Sequence, residues 1–162
     1  MGMYTGLRVK CVVKPQWREA IALLHSDFDT LVSGDPACDY DDRGSWSIVA
    51  EAYPDMPGVE EWQFEGRASF IPFGALAYMP DDFYRDVLSK EEQHDGSGSV
   101  FDFATGEWRF VCSLKNYNQE IPQFAIEVLF PICESVELCE SLYEDYDDNW
   151  ASQTRDWRRY AV

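Results

Sequence analysis

The sequence predicts an α+β fold in which two main helices pack on one face of an antiparallel sheet, as a two-layer sandwich. Apolar and polar residues alternate near the start, in the middle and near the end of the chain, as they do in half-buried strands. Two stretches between them carry apolar residues at spacings of three and four, which is the helical period. This order of elements is typical of an antiparallel sheet with helices on one side. The length of 162 residues suits a single domain, 1–162.

The first strand is predicted over Leu7–Val13, where apolar residues alternate with Arg8 and Lys10. Pro15 fits the first turn of the helix that follows. The apolar stripe of this helix is formed by Trp17, Ala20, Ile21, Leu24 and Phe28. Residues 33–44 are turn-forming and acidic, which indicates a surface loop.

The middle of the chain is predicted as two strands and a short helix. Ser45–Tyr53 and Trp62–Phe73 are rich in β-branched and aromatic residues and have the length of strands. Met79–Glu92 is predicted as a short helix that begins at Pro80 and Asp81. Residues 94–99, HDGSGS, form a flexible break that is too short to link two domains.

The strongest local signal is VFDFATGEWRFVCSL at 100–114, two alternating runs around residues 104–107, which predicts a β-hairpin. Asn116 or Asn118 can cap the next helix, and Pro131 marks its end. The last strand is predicted over Val136–Tyr143, and we expect its carboxylates to point outward, away from its anchored apolar residues.

Charge is the most unusual property of the chain, because 13 Lys and Arg face 30 Asp and Glu, for a net charge of −17. Such a field repels nucleic acid and anionic membranes and attracts cationic surfaces. We therefore expect a basic protein as the partner, with no direct nucleic-acid binding and no membrane association. The competing explanation is that the negative charge serves only to keep the protein soluble, although a net charge of about 2–8 suffices for the solubility of a small domain. The oligomeric state stays open.

Cysteine usage and hydropathy point to the cytoplasm. The five cysteines include no close CxxC pair, and Cys11 and Cys112 lie in apolar strand-like runs. The first residues, MGMYTGLRVK, lack the apolar core of a signal peptide, and no stretch approaches the roughly 20 apolar residues of a membrane span. We expect a reduced, intracellular protein.

The sequence offers little support for catalysis or for a cofactor. His25 and His94 are the only histidines, and neither lies beside a nucleophile signature. Cys133 and Cys139 lack the spacing and partners of a zinc site. An EF-hand-like run begins at Asp145, but Trp150 occupies the position that needs glycine. We therefore expect no enzyme, no cofactor and no metal site.

Two acidic segments with interleaved aromatic residues are the predicted partner-binding site. Carboxylates attract a cationic partner and form ion pairs with its Lys and Arg side chains. Tyr and Trp supply contact area at a low cost in conformational entropy. The predicted residues are Asp39, Tyr40, Asp41, Asp42, Tyr143, Glu144, Asp145, Tyr146, Asp147, Asp148 and Trp150. The competing interpretation is a solvated edge strand that is protected from aggregation by its charge.

The segment from Trp108 to Phe124, with the pattern W-x-F-x-C-x-L-K-N-Y-x-x-E-I-x-x-F, resembles one in small acidic bacterial immunity-type proteins. The resemblance covers about a tenth of the chain. Those proteins commonly have Trp-Ile after the phenylalanine and Pro-Tyr-Ile at the helix end. This chain has Ala125-Ile126 and Pro131-Ile132-Cys133 instead. The resemblance implies neutralisation of a cognate toxin in the cytosol.

The favoured hypothesis from the sequence is a non-catalytic acidic protein that neutralises a basic partner, as a toxin immunity protein does. A phage-type anti-defence inhibitor, whose carboxylates mimic DNA phosphates or which blocks a CRISPR complex, would have the same electrostatics. A metal-binding regulator or an enzyme that uses the aspartate clusters is the third alternative.

Overall fold

The computed structural model describes residues 3–26, 45–74, 79–80, 82–93, 98–144 and 158–159. The strands are β1 Tyr4–Val13, β2 Gly98–Phe101, β3 Glu107–Lys115, β4 Cys133–Tyr143 and β5 Arg158–Arg159. The α-helices are α1 Arg18–Ser26, α2 Trp46–Ala52, α3 Val59–Trp62, α4 Glu120–Phe124 and α5 Phe130–Ile132. A π-helical turn, Ala125–Leu129, joins α4 to α5. Short 3-10 turns lie at Pro15–Trp17, Gly66–Phe70 and Lys90–Glu92.

The strands form one five-stranded sheet in the order β2-β3-β1-β4-β5. The central strand, β1, pairs antiparallel with both neighbours, so that Leu7 lies opposite Cys112 of β3 and Ser141 of β4. The α+β class and the antiparallel sheet are therefore confirmed. Among the described residues, no helix has the length and apolarity that crossing a bilayer requires.

One face of the sheet, here called the helical face, carries the main core. Alternate residues of β1, from Leu7 to Val13, point to this side together with Trp108 and Phe110 of β3, and all are buried. Both main helices contribute to the same core, through Ile21 and Leu24 of α1 and through Ile121 and Phe124 of α4. The prediction of helices on one face is confirmed. The apolar residues that alternate along the strands and those that recur every three or four positions along the helices pack together on this face.

The opposite face of the sheet, here called the second face, is covered by residues 79–80 and 82–88. Met79, Phe83, Val87 and Leu88 form a smaller apolar cluster with Val111 and Leu142 of the sheet. Gly6 allows this close approach, because a Cβ atom there would lie 2.7 Å from the Met79 sulfur. The sequence predicts a two-layer sandwich and gives no sign of this cover.

The middle of the chain differs from the prediction in every element. Ser45–Tyr53 is predicted as a strand but forms α2, whose buried residues Trp46, Val49 and Ala50 have helical spacing. The indole of Trp46 donates a hydrogen bond to the carbonyl of Ile71 at 2.6 Å. A short apolar run is compatible with the period of a strand and with that of a helix. The helix forms here because it places the large Trp46 ring in the core.

Two other predictions in this region are also wrong. Trp62–Phe73 contains the end of α3 and a 3-10 turn instead of a strand. Met79–Glu92 is predicted as a helix, whereas its described residues form turns and the 3-10 turn Lys90–Glu92. The loop predicted at 33–44 lies outside the described residues.

The second half of the chain follows the sequence closely. β2 and β3 form the predicted hairpin, with Phe101 opposite Trp108 and a turn closed by the 2.8 Å bond from Gly106 N–H to the Asp102 carbonyl. The predicted last helix and strand correspond to α4–α5 and β4. Neither predicted asparagine caps the helix, because Gln119 occupies the N-cap position.

Candidate functional site

The structure describes only two of the predicted partner-binding residues, Tyr143 and Glu144. Tyr143 is 43% exposed at the end of β4. The remaining predicted residues lie outside the described part of the chain: Asp39, Tyr40, Asp41, Asp42, Asp145, Tyr146, Asp147, Asp148 and Trp150. The grouping of these residues into one site therefore stays a prediction.

Glu144 connects the end of β4 to the start of β1. Its carboxylate accepts the backbone N–H of Tyr4 at 2.9 Å, and its own N–H donates to the Tyr4 carbonyl at 2.8 Å. This carboxylate is held in place by the fold, so its charge is fixed at this end of the sheet.

Glu140 corrects the expectation that the carboxylates of the last strand point outward. Its side chain is only 3% exposed and accepts a 2.9 Å hydrogen bond from Nε of Arg8 on β1. Glu140 lies on the second face with Leu142, and residues 79–80 and 82–88 cover that face. Glu137 does point outward, with 74% of its side chain exposed.

A second ion-pair group on this face is centred on Arg109 of β3. Its guanidinium donates to Glu92 at 2.9 Å, to Glu107 at 3.1 Å and to the Val87 carbonyl at 2.6 Å. The hydrogen bond from Arg109, with help from the Ser89 N–H, lowers the pKa of Glu92 to about 2. Arg109 and Glu107 line a cavity of about 390 Å³, but their charges are already neutralised by each other.

Several exposed carboxylates that form no ion pair with a described residue lie on the segments 58–67 and 117–128. The segments 58–67 and 117–128 lie side by side in opposite directions. At one end, Gly58 contacts the backbone of Glu127. In the middle, the rings of Trp62 and Phe124 lie 5.5 Å apart, and at the other end the Arg67 N–H donates to the Tyr117 hydroxyl at 3.1 Å.

These segments expose both charge and apolar area. We call the following residues the acidic helical surface: Glu60, Glu61, Phe64, Glu65, Ile126 and Glu127, all of which are exposed. Phe64 is 60% exposed and Ile126 is 59% exposed, which makes them the most exposed large apolar side chains of the described residues. Arg67 is the only base in the two segments.

Sequence reasoning missed the acidic helical surface because it assigned residues 62–73 to a strand. In a strand, the neighbours Phe64 and Glu65 would lie on opposite faces. The signal that could have found the surface is the run VEEWQFE, in which Val59 and Trp62 are spaced as on a helix and are buried.

Thiol chemistry and metal binding find little support in the described residues. Cys11, Cys112, Cys133 and Cys139 are free and buried. Burial raises the pKa of Cys139 to about 12, which keeps this thiol protonated at neutral pH. Within the described ranges, no group of three or more His, Cys, Asp or Glu side chains is arranged to hold a metal ion.

Comparison with protein-family models, with curated proteins and with solved structures finds no match to this chain.

Proposed function

We propose that this chain is a binding protein that neutralises a basic protein partner, and that it serves as a toxin immunity protein in a bacterial cytoplasm. The observation that carries the proposal is the acidic helical surface. It combines exposed carboxylates that form no ion pair with a described residue and exposed apolar side chains on rigid elements, and a binding surface for Lys- and Arg-rich proteins needs both.

The carboxylates supply attraction and orientation. A net charge of −17 draws a cationic protein toward the chain and raises the association rate, which falls as salt screens the field. Glu60, Glu61, Glu65 and Glu127 would then pair with Lys and Arg side chains of the partner.

The apolar side chains supply the short-range part of the affinity. Phe64 and Ile126 leave more than half of their surface in water, and covering such residues is favourable by about 25 cal/mol per Å². Phe64 and Ile126 extend from segments that the core anchors through the Trp62 and Phe124 rings. Little ordering is therefore needed on binding.

Affinity capture followed by surface plasmon resonance, which measures association rates, tests the proposal. The tagged chain is used to capture proteins from the source cell, the complexes are washed at rising salt, and the recovered protein is purified. We expect a basic protein whose association rate falls steeply with salt. An acidic partner, or binding that does not depend on salt, contradicts the proposal.

Matched variants then locate the surface. Glu61→Lys should weaken binding at least about tenfold, whereas Glu91→Lys makes the same charge change at an exposed site on Lys90–Glu92 and should have a smaller effect. Phe64→Ala should cost about 2 kcal/mol of binding free energy if the ring is an anchor. Phe103, 53% exposed in the hairpin turn, is its control. Equal effects within each pair would contradict this location of the site.

A further inference from the structure

A histidine and a serine that lie 74 positions apart in sequence meet at one end of the helical face. Nε2 of His25, in the last turn of α1, lies 2.6 Å from Oγ of Ser99 on the edge strand β2. Nδ1 of the same ring lies 2.7 Å from the carbonyl oxygen of Ile21. The indole N–H of the buried Trp108 donates to Ser99 Oγ at 2.8 Å.

The positions of the protons follow from what each group can do. The Ile21 carbonyl can only accept, so Nδ1 of His25 carries a proton and, in the neutral ring, Nε2 is the acceptor. Trp108 can only donate, so the hydroxyl proton of Ser99 is directed to Nε2. Burial lowers the pKa of His25, which keeps the ring neutral at pH 7 and able to take this proton.

This arrangement is a nucleophile beside a base, with the base oriented by a third group. The Ile21 carbonyl orients His25 by accepting its Nδ1–H, a role that a carboxylate often has. It also stabilises the imidazolium that forms when His25 takes the serine proton. Phe101 stacks on the His25 ring at 5.9 Å, with an interplanar angle of 19°, and Phe73 meets it edge-on at 6.0 Å. These rings fix the orientation of the imidazole.

The His25–Ser99 pair opens onto a cavity of about 450 Å³, large enough for a small molecule. The described residues that line it are Ala22, His25, Ser26, Ser99, Phe101 and Phe103, and none of them carries a formal charge at neutral pH. The lining therefore suits an apolar group. The negative field of the whole chain disfavours anionic substrates such as phosphates.

The geometry points to Ser99 as an activated nucleophile that attacks neutral or cationic carboxylic esters, with His25 as its general base. Ser99 Oγ bonds to the ester carbonyl carbon while its proton moves to His25 Nε2. The bond to the leaving alcohol then breaks, and the alcohol takes that proton. Water, with its proton passing through His25 to Ser99, hydrolyses the acyl-serine to the carboxylic acid. This activity goes beyond the proposed function and uses residues apart from the acidic helical surface.

The test is labelling of the full-length chain with an alkyl fluorophosphonate, which forms an Oγ–P bond and releases fluoride. Intact-mass analysis and peptide mapping of the wild-type protein should place one adduct on Ser99. The same protein should hydrolyse p-nitrophenyl acetate, and labelling should abolish that hydrolysis. Absence of an adduct, or an adduct only on other residues, overturns the proposal without the use of any variant.

Variants assign the roles. Ser99→Ala should abolish labelling, and His25→Gln should slow it at least about 100-fold, the usual range for loss of a general base. Ser135 is exposed on β4 and lies outside the lining of this cavity, so it supplies the control. Ser135→Ala should label within about twofold of wild type. If His25→Gln, shown by circular dichroism to be folded, labels as fast as wild type, His25 is not the base and the proposal fails.

Discussion

The two faces of the sheet are stabilised by different chemistry. On the helical face, β1 contributes the apolar side chains of Leu7, Val9, Cys11 and Val13, which pack against α1 and α4. On the second face, β1 contributes Arg8 and Lys10, which pair with Glu140 and Glu137 of the neighbouring β4. The cover on this side is the turn-rich segment 79–80 and 82–93 instead of a regular helix.

The difference shows why the overall charge is a poor guide to which carboxylates are free. Glu140 and Glu92 count toward the net charge of −17, yet each is engaged by an arginine on the second face. The carboxylates of the acidic helical surface, by contrast, are exposed and form no ion pair with a described residue. Variants that disrupt one face at a time test this division.

Phe124→Ala should have the largest effect, because it removes the ring at the centre of the helical face. Phe124 is fully buried, and its ring lies 5.5 Å from Trp62 and 5.8 Å from Trp46. Loss of such a ring lowers the free energy of unfolding by about 3–5 kcal/mol. Urea denaturation measures the change.

Phe64→Ala is the control for that measurement, because it removes the same ring from an exposed position. We expect a change of less than about 0.5 kcal/mol, since little packing is lost. A cost below about 1 kcal/mol for Phe124→Ala would mean that the helical face is not the main core.

The helical face could be predicted from the sequence because its residues follow a period. The alternation in β1 and β3 and the stripe from Ile121 to Ile132 place the strands, the hairpin and the last helix correctly. Residues 45–93 could not be predicted, because short apolar runs such as Trp46–Ala52 fit a strand as well as a helix. Met79, Phe83 and Val87 have the spacing of four that predicts a helix, but their backbone forms a bend and turns, and the apolar second face explains their position.

The candidate sites were less predictable than the fold. Acidic composition predicts a basic partner, but Glu61 and Phe64 share a surface only because α3 and the turn after it replace the predicted strand. The His25–Ser99 pair joins α1 to the edge strand β2, and no local pattern encodes a contact between residues so far apart in sequence.

Glu140→Ala should have the next largest effect and should act on the second face. Glu140→Ala removes the carboxylate that accepts the Nε–H of Arg8 in a buried ion pair, and we expect a loss of about 3 kcal/mol because Arg8 stays partly hydrated. The double variant Arg8→Met with Glu140→Leu should be more stable than Glu140→Ala, since it replaces both members of the buried pair with apolar side chains of similar volume. Chemical denaturation of the single and double variants measures this, and a double variant that is less stable than Glu140→Ala would contradict the explanation.

Glu92→Gln should have the smallest effect and should depend on pH. In the folded chain Arg109 holds the pKa of Glu92 at about 2, below the ordinary value of 4.5. A lowered folded-state pKa stabilises the protein fully above pH of about 4.5, and this stabilisation is lost as the pH falls toward about 2. Because 29% of the Glu92 side chain is exposed, screening limits the contribution to roughly 0.5–1 kcal/mol.

The measurement is the melting temperature of wild type and variant across that pH range. The two should differ most near neutral pH and converge toward pH of about 2, because protonated Glu92 no longer pairs with Arg109 as an ion. Glu91→Gln is the matched control: Glu91 is the exposed neighbour on the same 3-10 turn and forms no ion pair with a described residue. A constant difference between wild type and Glu92→Gln at every pH would assign the effect to the hydrogen bond with the Ser89 N–H, and the ion pair with Arg109 would then contribute nothing to the second face.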